Sequence, residues 1–236
     1  MNSRVLSGSE AVAVAVADVA AETVARSPEA VLALPTGRTP IPLYDELARR
    51  HARHAVDLTR VRGFNLDELI LSHDDARSFR AFMERHVWGR TGMARECCDM
   101  PNGGAPDPEA ECRRYETALE AAGGIDLALL GLGADGHVAY NMPGPVTLAT
   151  HVTRLPDGLA ASLGLPPEAW PLRAITMGLG TIRSARHIVV MASGQAKATA
   201  VRALVRGPDD PEWPCSFLHS HPNLDLIVDG VAASAL

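Results

Sequence analysis

Short apolar runs recur along this 236-residue chain, and each ends in a turn rich in glycine, threonine or acidic residues. Runs of this length, bounded by turn residues, are typical of buried strands. The strands predicted in this way are Ala30–Leu34, Val61–Asn65, Ile125–Leu130, Ala174–Met177, His187–Ala192 and Leu224–Val228. Helix-like stretches separate them, from Ser9 to about Ala25, from Ser78 to Trp88 and from Pro108 to Ala122. This alternation predicts one α/β domain over residues 1–236, with a doubly wound, mostly parallel, Rossmann-like sheet and helices on both faces.

The turn after Ile125–Leu130 is the strongest candidate for a functional centre. It reads Gly-Leu-Gly-Ala-Asp-Gly-His and places Asp135 and His137 close together, with Gly136 between them. Glycines bring a backbone close to whatever lies above it. In open α/β sheets, ligands bind beyond the carboxyl ends of the strands. We therefore expect chemistry at Asp135 and His137, and the alternative is an ordinary glycine turn with two surface side chains.

A second strand exit, the loop after Ala30–Leu34, has the features of an anion site. Thr36, Gly37, Arg38 and Thr39 stand between this strand and the next helix. Backbone N–H groups at a helix start favour an anion, and the threonines add hydroxyl donors. The loop lacks the Gly-Lys-Ser/Thr ending of a nucleotide P-loop, so nucleotide binding is not supported. The alternative is a helix start that binds no ligand.

Lys197 follows another predicted strand, His187–Ala192, and lies in the first turn of a predicted helix. The helix dipole disfavours a cation at this position. A bound anion would compensate for that cost, although a solvated lysine would explain the residue as well.

Asp67 and Glu68 follow the strand Val61–Asn65. Neighbouring residues of an extended segment point to opposite sides, so only one of the two carboxylates can face a site above the sheet. A carboxylate at a strand end can act as a general base. A helix cap or a solvated acid is the alternative.

Composition narrows the classes of partner. The net charge is −6 and the arginines are spread along the chain, whereas nucleic-acid binding needs a clustered basic face. No window has the roughly 18 consecutive apolar residues of a membrane span. The four cysteines lack metal-type spacing, and we interpret them as reduced thiols of a cytoplasmic protein. We thus expect no nucleic acid, no membrane and no metal as partners.

The stretch from Pro143 to Trp170 has weak periodicity and several proline and glycine residues. Such a segment is predicted to form a mobile cover over the site.

These motifs, taken in order, resemble the glucosamine-6-phosphate deaminase family, whose superfamily includes 6-phosphogluconolactonases and ribose-5-phosphate isomerases. The resemblance spans nearly the whole chain. The segments that carry it are Leu34–Pro40, Phe64–Glu68, Gly131–Ala139, Asn141, Pro143, Met177–Thr181 and Gly194–Lys197.

The resemblance implies roles for individual residues. The loop Thr36–Thr39, with Lys197, would bind a sugar 6-phosphate, and Gly136 would also contact the substrate. Asp67 would move a proton between C2 and C1 of the open-chain sugar, and Asp135 and His137 would act in opening the pyranose ring. Ammonia would then leave from a carbinolamine at C2. Such chemistry implies no cofactor, and it leaves open whether the protein forms a homo-oligomer.

The chain departs from the family pattern at two places. The deaminases have Asn-Glu-Pro where this chain has Asn-Met142-Pro. In the family that glutamate partners the catalytic histidine, so Met142 implies loss of a carboxylate that favours the protonated ring. The phosphate-binding arginine of the deaminases has no clear counterpart, and Arg154 is a loose candidate.

Three functions follow from these observations. The first is an amino-sugar phosphate deaminase/isomerase whose substrate differs from glucosamine 6-phosphate because Met142 replaces the family glutamate. The second is a 6-phosphogluconolactonase-type hydrolase in which His137 activates water. The third is a sugar-phosphate-binding protein without catalysis, which the joint presence of Asp67, Asp135 and His137 disfavours.

Overall fold

The computed structural model describes residues 1–72, 74–162, 164 and 171–236. Within these residues, no helix is both long and apolar enough to cross a membrane.

A parallel sheet of seven strands forms the centre of the molecule, in the order β1-β10-β9-β6-β2-β3-β5. Its strands are β1 (Asn2–Leu6), β2 (Val31–Leu34), β3 (Arg62–Asn65), β5 (Cys98–Asp99), β6 (Leu127–Gly131), β9 (Ile188–Ala192) and β10 (Leu224–Asp229). The doubly wound parallel sheet expected from the sequence is confirmed.

The two faces of this sheet bury separate apolar cores. In β2, Leu32 and Leu34 belong to one core and Val31 and Ala33 to the other, as the two-residue period of a strand requires. A strand buried on both faces must be apolar throughout, which explains why the central strands appear as uninterrupted apolar runs.

Helices cover both faces. They are α1 (Ser9–Arg26), α2 (Ile41–Ala52), α3 (Phe79–His86), α4 (Pro108–Ala121), α5 (Asp157–Ser162), α6 (Leu179–Arg183) and α7 (Ala198–Arg206). Side chains cap two of the helix starts: Ser78 accepts a hydrogen bond from the backbone N–H of Ala81, and Asp107 accepts from those of Glu109 and Ala110. Because α1 and α2 pack in one core and α4 and α7 in the other, helices lie on both faces of the sheet.

A separate antiparallel sheet was not expected. It pairs β4 (Asp67–Leu69) with β8 (Arg173–Thr176), and β8 with β7 (His151–Arg154). The run Ala174–Met177 forms a strand as predicted, but this strand belongs to the antiparallel sheet, because a short apolar run gives no sign of its strand's direction. In the register of this sheet, Asp67 lies opposite Thr176.

Two further segments differ from expectation. The edge strand β1 has no apolar run because most of it is exposed, so it gave no strand signal. Within the predicted cover, β7 and α5 are regular elements, whereas residues 163 and 165–170 of that stretch lie outside the described part of the chain.

Candidate active site

A cavity of about 640 Å³ lies beyond the carboxyl ends of β2, β3 and β6, a volume in the range of small-molecule sites. It brings together the loop after β2, Asp67, the glycine turn after β6 and Lys197, which are far apart in the sequence. Its lining residues are Pro35, Thr36, Gly37, Arg38, Thr39, Leu66, Asp67, Phe79, Gly131, Leu132, Gly133, His137, Ala139, Tyr140 and Lys197.

The loop Thr36–Thr39 offers unused hydrogen-bond donors to this cavity. Tyr44, on α2, fixes the start of the loop by donating its hydroxyl to the carbonyl of Pro35 at 2.6 Å. Gly37 has a φ of +92°, which side-chain-bearing residues rarely adopt. Among the described residues, no hydrogen bond uses the backbone N–H groups of Gly37, Arg38 or Thr39. Free N–H groups next to a helix start are suited to an anion.

Lys197 completes the positive side of the cavity. It ends the short 3₁₀ turn Gln195–Lys197 and is the N-cap of α7. Burial lowers the pKa of its ammonium, Arg38 lowers it further, and Asp135 opposes both effects. Two neighbouring cations that repel one another are stabilised when a phosphate binds between them.

Asp67 is the most buried acid of the cavity, with 6% of its surface exposed. Its nearest polar partner is Thr36, whose hydroxyl donates to Oδ1 at 3.5 Å. Burial raises the pKa of Asp67 to about 8, with the negative charge of Glu68 adding to the shift and the Thr36 hydroxyl reducing it. A carboxylate with a pKa near 7 is suited to accept and return a proton in a catalytic cycle.

Glu68 points away from the cavity, as the alternation of an extended chain predicts. Its carboxylate accepts hydrogen bonds from the backbone N–H groups of Leu69, Phe79 and Arg80. It thus caps α3, while Asp67 faces the site.

Tight turn geometry shapes the loop after β6. The backbone N–H of Gly133 donates to the carbonyl of His137 at 2.8 Å, and that of Gly136 donates to Gly133 at 3.1 Å. A Cβ atom at Gly133 would lie 2.3 Å from Nδ1 of His137 and 2.6 Å from Oδ1 of Asp135. Only glycine therefore leaves room for this acid–imidazole pair.

Asp135 lies against the imidazole of His137. Oδ1 of Asp135 is 2.6 Å from Nδ1 of His137, although the ring N–H is not directed at this oxygen. Asp135 also accepts from the backbone N–H of His137 at 3.3 Å. Burial alone would raise the pKa of Asp135, but contact with His137 outweighs it and lowers this pKa to about 2. Asp135 stays ionised and is placed to orient the imidazole, which itself lines the cavity.

Gly136, like Asp135, is a predicted site residue that does not line the cavity. Its N–H bonds to Gly133 and its carbonyl accepts from the backbone N–H of Cys215, so both of its backbone groups are occupied. Its φ is +84°, and a Cβ atom there would lie 2.9 Å from the ring of Trp213. These contacts make Gly136 a residue that shapes the turn, and its contact with substrate stays a prediction.

Met142 and Arg154 line a second cavity, of about 350 Å³, and not the cavity of Asp67 and His137. Arg154 pairs there with Asp157 at 3.3 Å. This placement does not support Arg154 as a phosphate ligand of the first cavity.

Sequence reasoning missed two aromatic residues of the first cavity. Phe79 begins α3, and Tyr140 follows His137 by three positions; their rings stack with centroids 5.8 Å apart. In the predicted helix from Ser78 to Trp88, an apolar residue such as Phe79 is typical of a core position, and nothing in the sequence marked Tyr140.

Comparison with known proteins shows the family to which the chain is similar. Residues 7–227 match the family model of glucosamine-6-phosphate isomerases/6-phosphogluconolactonase. A glucosamine-6-phosphate deaminase of Beutenbergia cavernae is 41% identical over 229 residues, which cover 94% of this chain and 87% of that protein. Glucosamine-6-phosphate deaminase 1 of Giardia intestinalis is 42% identical over 217 residues, with coverage of 89% and 81%.

The fold of this chain is similar to those of solved structures. A structure described as a monomeric glucosamine-6-phosphate deaminase of the NagB superfamily superposes with a TM-score of 0.93 at 35% identity, covering all of both chains. The 6-phosphogluconolactonase of Trypanosoma cruzi superposes with a TM-score of 0.82 at 19% identity, over 100% of this chain and 96% of that one, and this likeness shows the fold alone.

Proposed function

The chain belongs to the family of glucosamine-6-phosphate isomerases and 6-phosphogluconolactonases, and we propose that it is an amino-sugar phosphate deaminase/isomerase. It would convert an amino sugar 6-phosphate and water into a keto sugar 6-phosphate and ammonia. The observation that carries this proposal is the single cavity in which a buried carboxylate, Asp67, and an imidazole, His137, meet an anion-binding loop. The similarity to curated deaminases at about 40% identity supports the same substrate class.

Binding begins at the phosphate in this proposal. The free N–H groups of Gly37, Arg38 and Thr39, the threonine hydroxyls and Lys197 hold the 6-phosphate. That contact fixes the sugar by its unreactive end, and C1 and C2 then lie against Asp67 and His137 in the same cavity.

Ring opening uses His137. The imidazolium donates its proton to the ring oxygen as the bond between this oxygen and C1 breaks, the hydroxyl on C1 gives its proton to water, and the open-chain aldehyde forms. Asp135 stabilises the imidazolium because it is ionised and lies 2.6 Å from Nδ1. Asp135 therefore acts on the sugar indirectly, through the imidazole that it orients.

Isomerisation uses Asp67. The free enzyme holds this group with a pKa of about 8, and the ammonium at C2 of the substrate favours its ionised form as it enters. The carboxylate then removes the proton from C2 and returns it to C1, while one proton of the C2 ammonium passes to the oxygen on C1. The resulting C2 imine adds water and expels ammonia, which leaves the keto sugar.

One chain supplies every residue in this scheme, so the proposal needs no second copy. Placement in the cytoplasm is part of the proposal, supported by four cysteines that are all free thiols.

A direct assay tests the function. Purified protein is incubated with glucosamine 6-phosphate, and ammonia and fructose 6-phosphate are measured in parallel. Both products should appear in equal amounts, and the Asp67→Asn variant should form neither at a comparable rate. Absence of turnover above this variant rejects the deaminase.

Two further arms separate the alternatives. Hydrolysis of 6-phosphogluconolactone without ammonia release from the amino sugar would favour the lactonase. Binding of the sugar phosphate with no turnover of either substrate would favour a non-catalytic binding protein.

A further inference from the structure

The proposed reaction leaves one polar group of the cavity without a task, the hydroxyl of Tyr140. The side chain lines the cavity together with Asp67 and His137. Among the described residues, the hydroxyl makes no hydrogen bond, whereas those of Tyr44 and Tyr115 each donate to a backbone carbonyl. An O–H that faces a binding cavity without a protein partner is available to a ligand.

The backbone holds Tyr140 in a fixed position. Residues Val138 to Asn141 form a tight turn in which the N–H of Asn141 donates to the carbonyl of Val138 at 3.1 Å. The amide of Asn141 donates to the carbonyls of Val138 and Met177 at 3.0 and 2.8 Å. Ala139 adopts a φ of +49°, which is unusual for a residue with a side chain. Such conformations persist only where the surroundings enforce them, and they concentrate at functional sites.

The antiparallel sheet links Tyr140 to Asp67. Thr176 on β8 lies opposite Asp67 in the strand register, and its hydroxyl accepts a hydrogen bond from the N–H of Tyr140 at 3.0 Å. The Tyr140 ring also lies 6.3 Å, centroid to centroid, from the imidazole of His137. Tyr140 therefore lies beside the two groups that react with the sugar in the proposed scheme.

The electrostatic environment keeps the Tyr140 phenol protonated, so that it can donate a hydrogen bond. Burial raises its pKa, and the negative charges of Asp67 and Glu68 raise it further. The phenol thus stays neutral throughout the physiological range, and the anion beside it makes loss of its proton still less favourable.

We propose that the Tyr140 hydroxyl donates a hydrogen bond to the oxygen on C1 of the open-chain sugar and so determines specificity at the reacting end. The proposal rests on the proposed function, since C1 is the carbon to which Asp67 returns its proton. Asp67 is the better partner for the C2 ammonium because it carries the opposite charge. The phenol then serves the neighbouring oxygen, which gains negative charge when the proton leaves C2.

Kinetics of the Tyr140→Phe variant give the first test. This change keeps the ring that stacks on Phe79 and removes only the hydroxyl. Because the bond strengthens as charge develops on the oxygen, kcat should fall by about tenfold or more while KM changes less. The melting temperature should stay at the wild-type value, because the hydroxyl has no described protein partner to lose. An unchanged kcat overturns the proposal.

Binding provides a test that does not depend on turnover. Calorimetry compares both proteins with 2-amino-2-deoxyglucitol 6-phosphate and with its 1-deoxy analogue, which lacks the C1 oxygen. Tyr140→Phe should weaken the first ligand by about three- to tenfold, the scale of one neutral hydrogen bond, and leave the second unchanged. Equal losses for both ligands, or no loss for either, overturn the proposal, as does a wild-type protein that binds inorganic phosphate but not the hexitol phosphate.

A matched control separates contact from structure. Tyr115→Phe removes the hydroxyl that donates to the carbonyl of Asn65, so it should lower the melting temperature without distinguishing the two hexitol phosphates. If the protein releases no ammonia but Tyr140→Phe weakens only the hexitol phosphate that has a C1 oxygen, the inferred hydrogen bond is supported and the deaminase is rejected.

Discussion

The end of strand β3 and the turn after strand β6 each contribute a carboxylate to the site, yet the two places act on those carboxylates in opposite directions. At the end of β3, burial raises the pKa of Asp67 to about 8. In the turn after β6, burial again raises the pKa of Asp135, but the adjacent imidazole and the backbone N–H groups of the turn together outweigh it, and this pKa falls to about 2. Asp67 is 6% exposed, whereas 45% of the Asp135 side chain is accessible to solvent.

The difference in pKa indicates different roles for Asp67 and Asp135, although both residues are aspartates. A carboxylate held near neutral pKa can take up and release protons, which suits a base. A carboxylate that remains ionised can hold an imidazole in place and stabilise its protonated form but cannot shuttle protons itself. The structure thus supports Asp67 as the proton carrier and Asp135 as the group that orients His137.

The largest effect should come from removing the proton carrier. Asp67→Asn keeps the size of the side chain and abolishes the base, so kcat should fall by about 10²- to 10⁴-fold. Steady-state ammonia release at saturating substrate measures the change. A loss smaller than that of the same substitution at Asp135 would reverse the assignment of roles.

The neighbouring acid provides the control for Asp67. Glu68→Gln replaces an oxygen that accepts backbone N–H groups of α3 with an amide that repels them. We expect the free energy of unfolding to fall by about 1–3 kcal/mol, with a smaller loss of kcat than in Asp67→Asn. Urea unfolding at neutral pH measures the first quantity.

A second prediction concerns Lys197, whose ammonium interacts with Asp135 and Arg38. Lys197→Met should raise KM for the sugar phosphate by about ten- to hundredfold, the range of one charge-assisted hydrogen bond. Arg202→Met, on the exposed surface of the same helix, should leave KM unchanged. Comparable effects of both substitutions would mean that net charge, and not a phosphate contact, attracts the substrate.

A third prediction uses the dependence of stability on pH. The folded pKa of Asp67 lies above its unfolded value of 3.8, so the wild-type protein loses stability as pH rises from about 4 towards 8. Asp67→Asn escapes this loss and should be more stable than wild type at pH 8 by more than about 1 kcal/mol, with a smaller gain at pH 5.

Asp135 should behave in the opposite way. Its folded pKa lies below the unfolded value of 3.8, so its stabilisation is present above pH 4 and is lost as pH falls towards 2. Asp135→Asn should therefore be less stable than wild type at both pH 5 and pH 8, by under about 1 kcal/mol because the side chain is partly exposed. Urea unfolding of both variants at these two pH values makes the comparison, and a pH-independent gain in Asp67→Asn would contradict it.

The sequence predicted the positions of these groups better than their properties. Parallel strands end at one edge of a sheet, so the loops at Thr36–Thr39, Asp67 and His137 could be expected to meet. The alternation of an extended chain could also separate Asp67 from Glu68. The opposite pKa shifts depend on burial, which is set by packing between segments that are distant in sequence.

Other features of the site had no sequence signal. The strand β8 reads like a parallel strand, although it pairs antiparallel with β4 and helps to hold Asp67 and Tyr140. Tyr140 occupies the corner of a turn whose geometry follows from hydrogen bonds to Met177, more than thirty residues away. Local patterns do not encode such contacts.

The smallest effect is expected at Met142, where the family resemblance implies a missing glutamate partner of the histidine. In the structure, Met142 lines the second cavity, and Asp135 already places a carboxylate 2.6 Å from Nδ1 of His137. Met142→Glu should therefore change kcat by less than about fivefold, the scale of an exposed charge pair. Met142→Gln, of similar size and uncharged, is the control, and ammonia release is the measurement. A rise of about tenfold or more in the glutamate variant alone would mean that Asp135 is an incomplete partner and that the histidine needs a second carboxylate to open the ring.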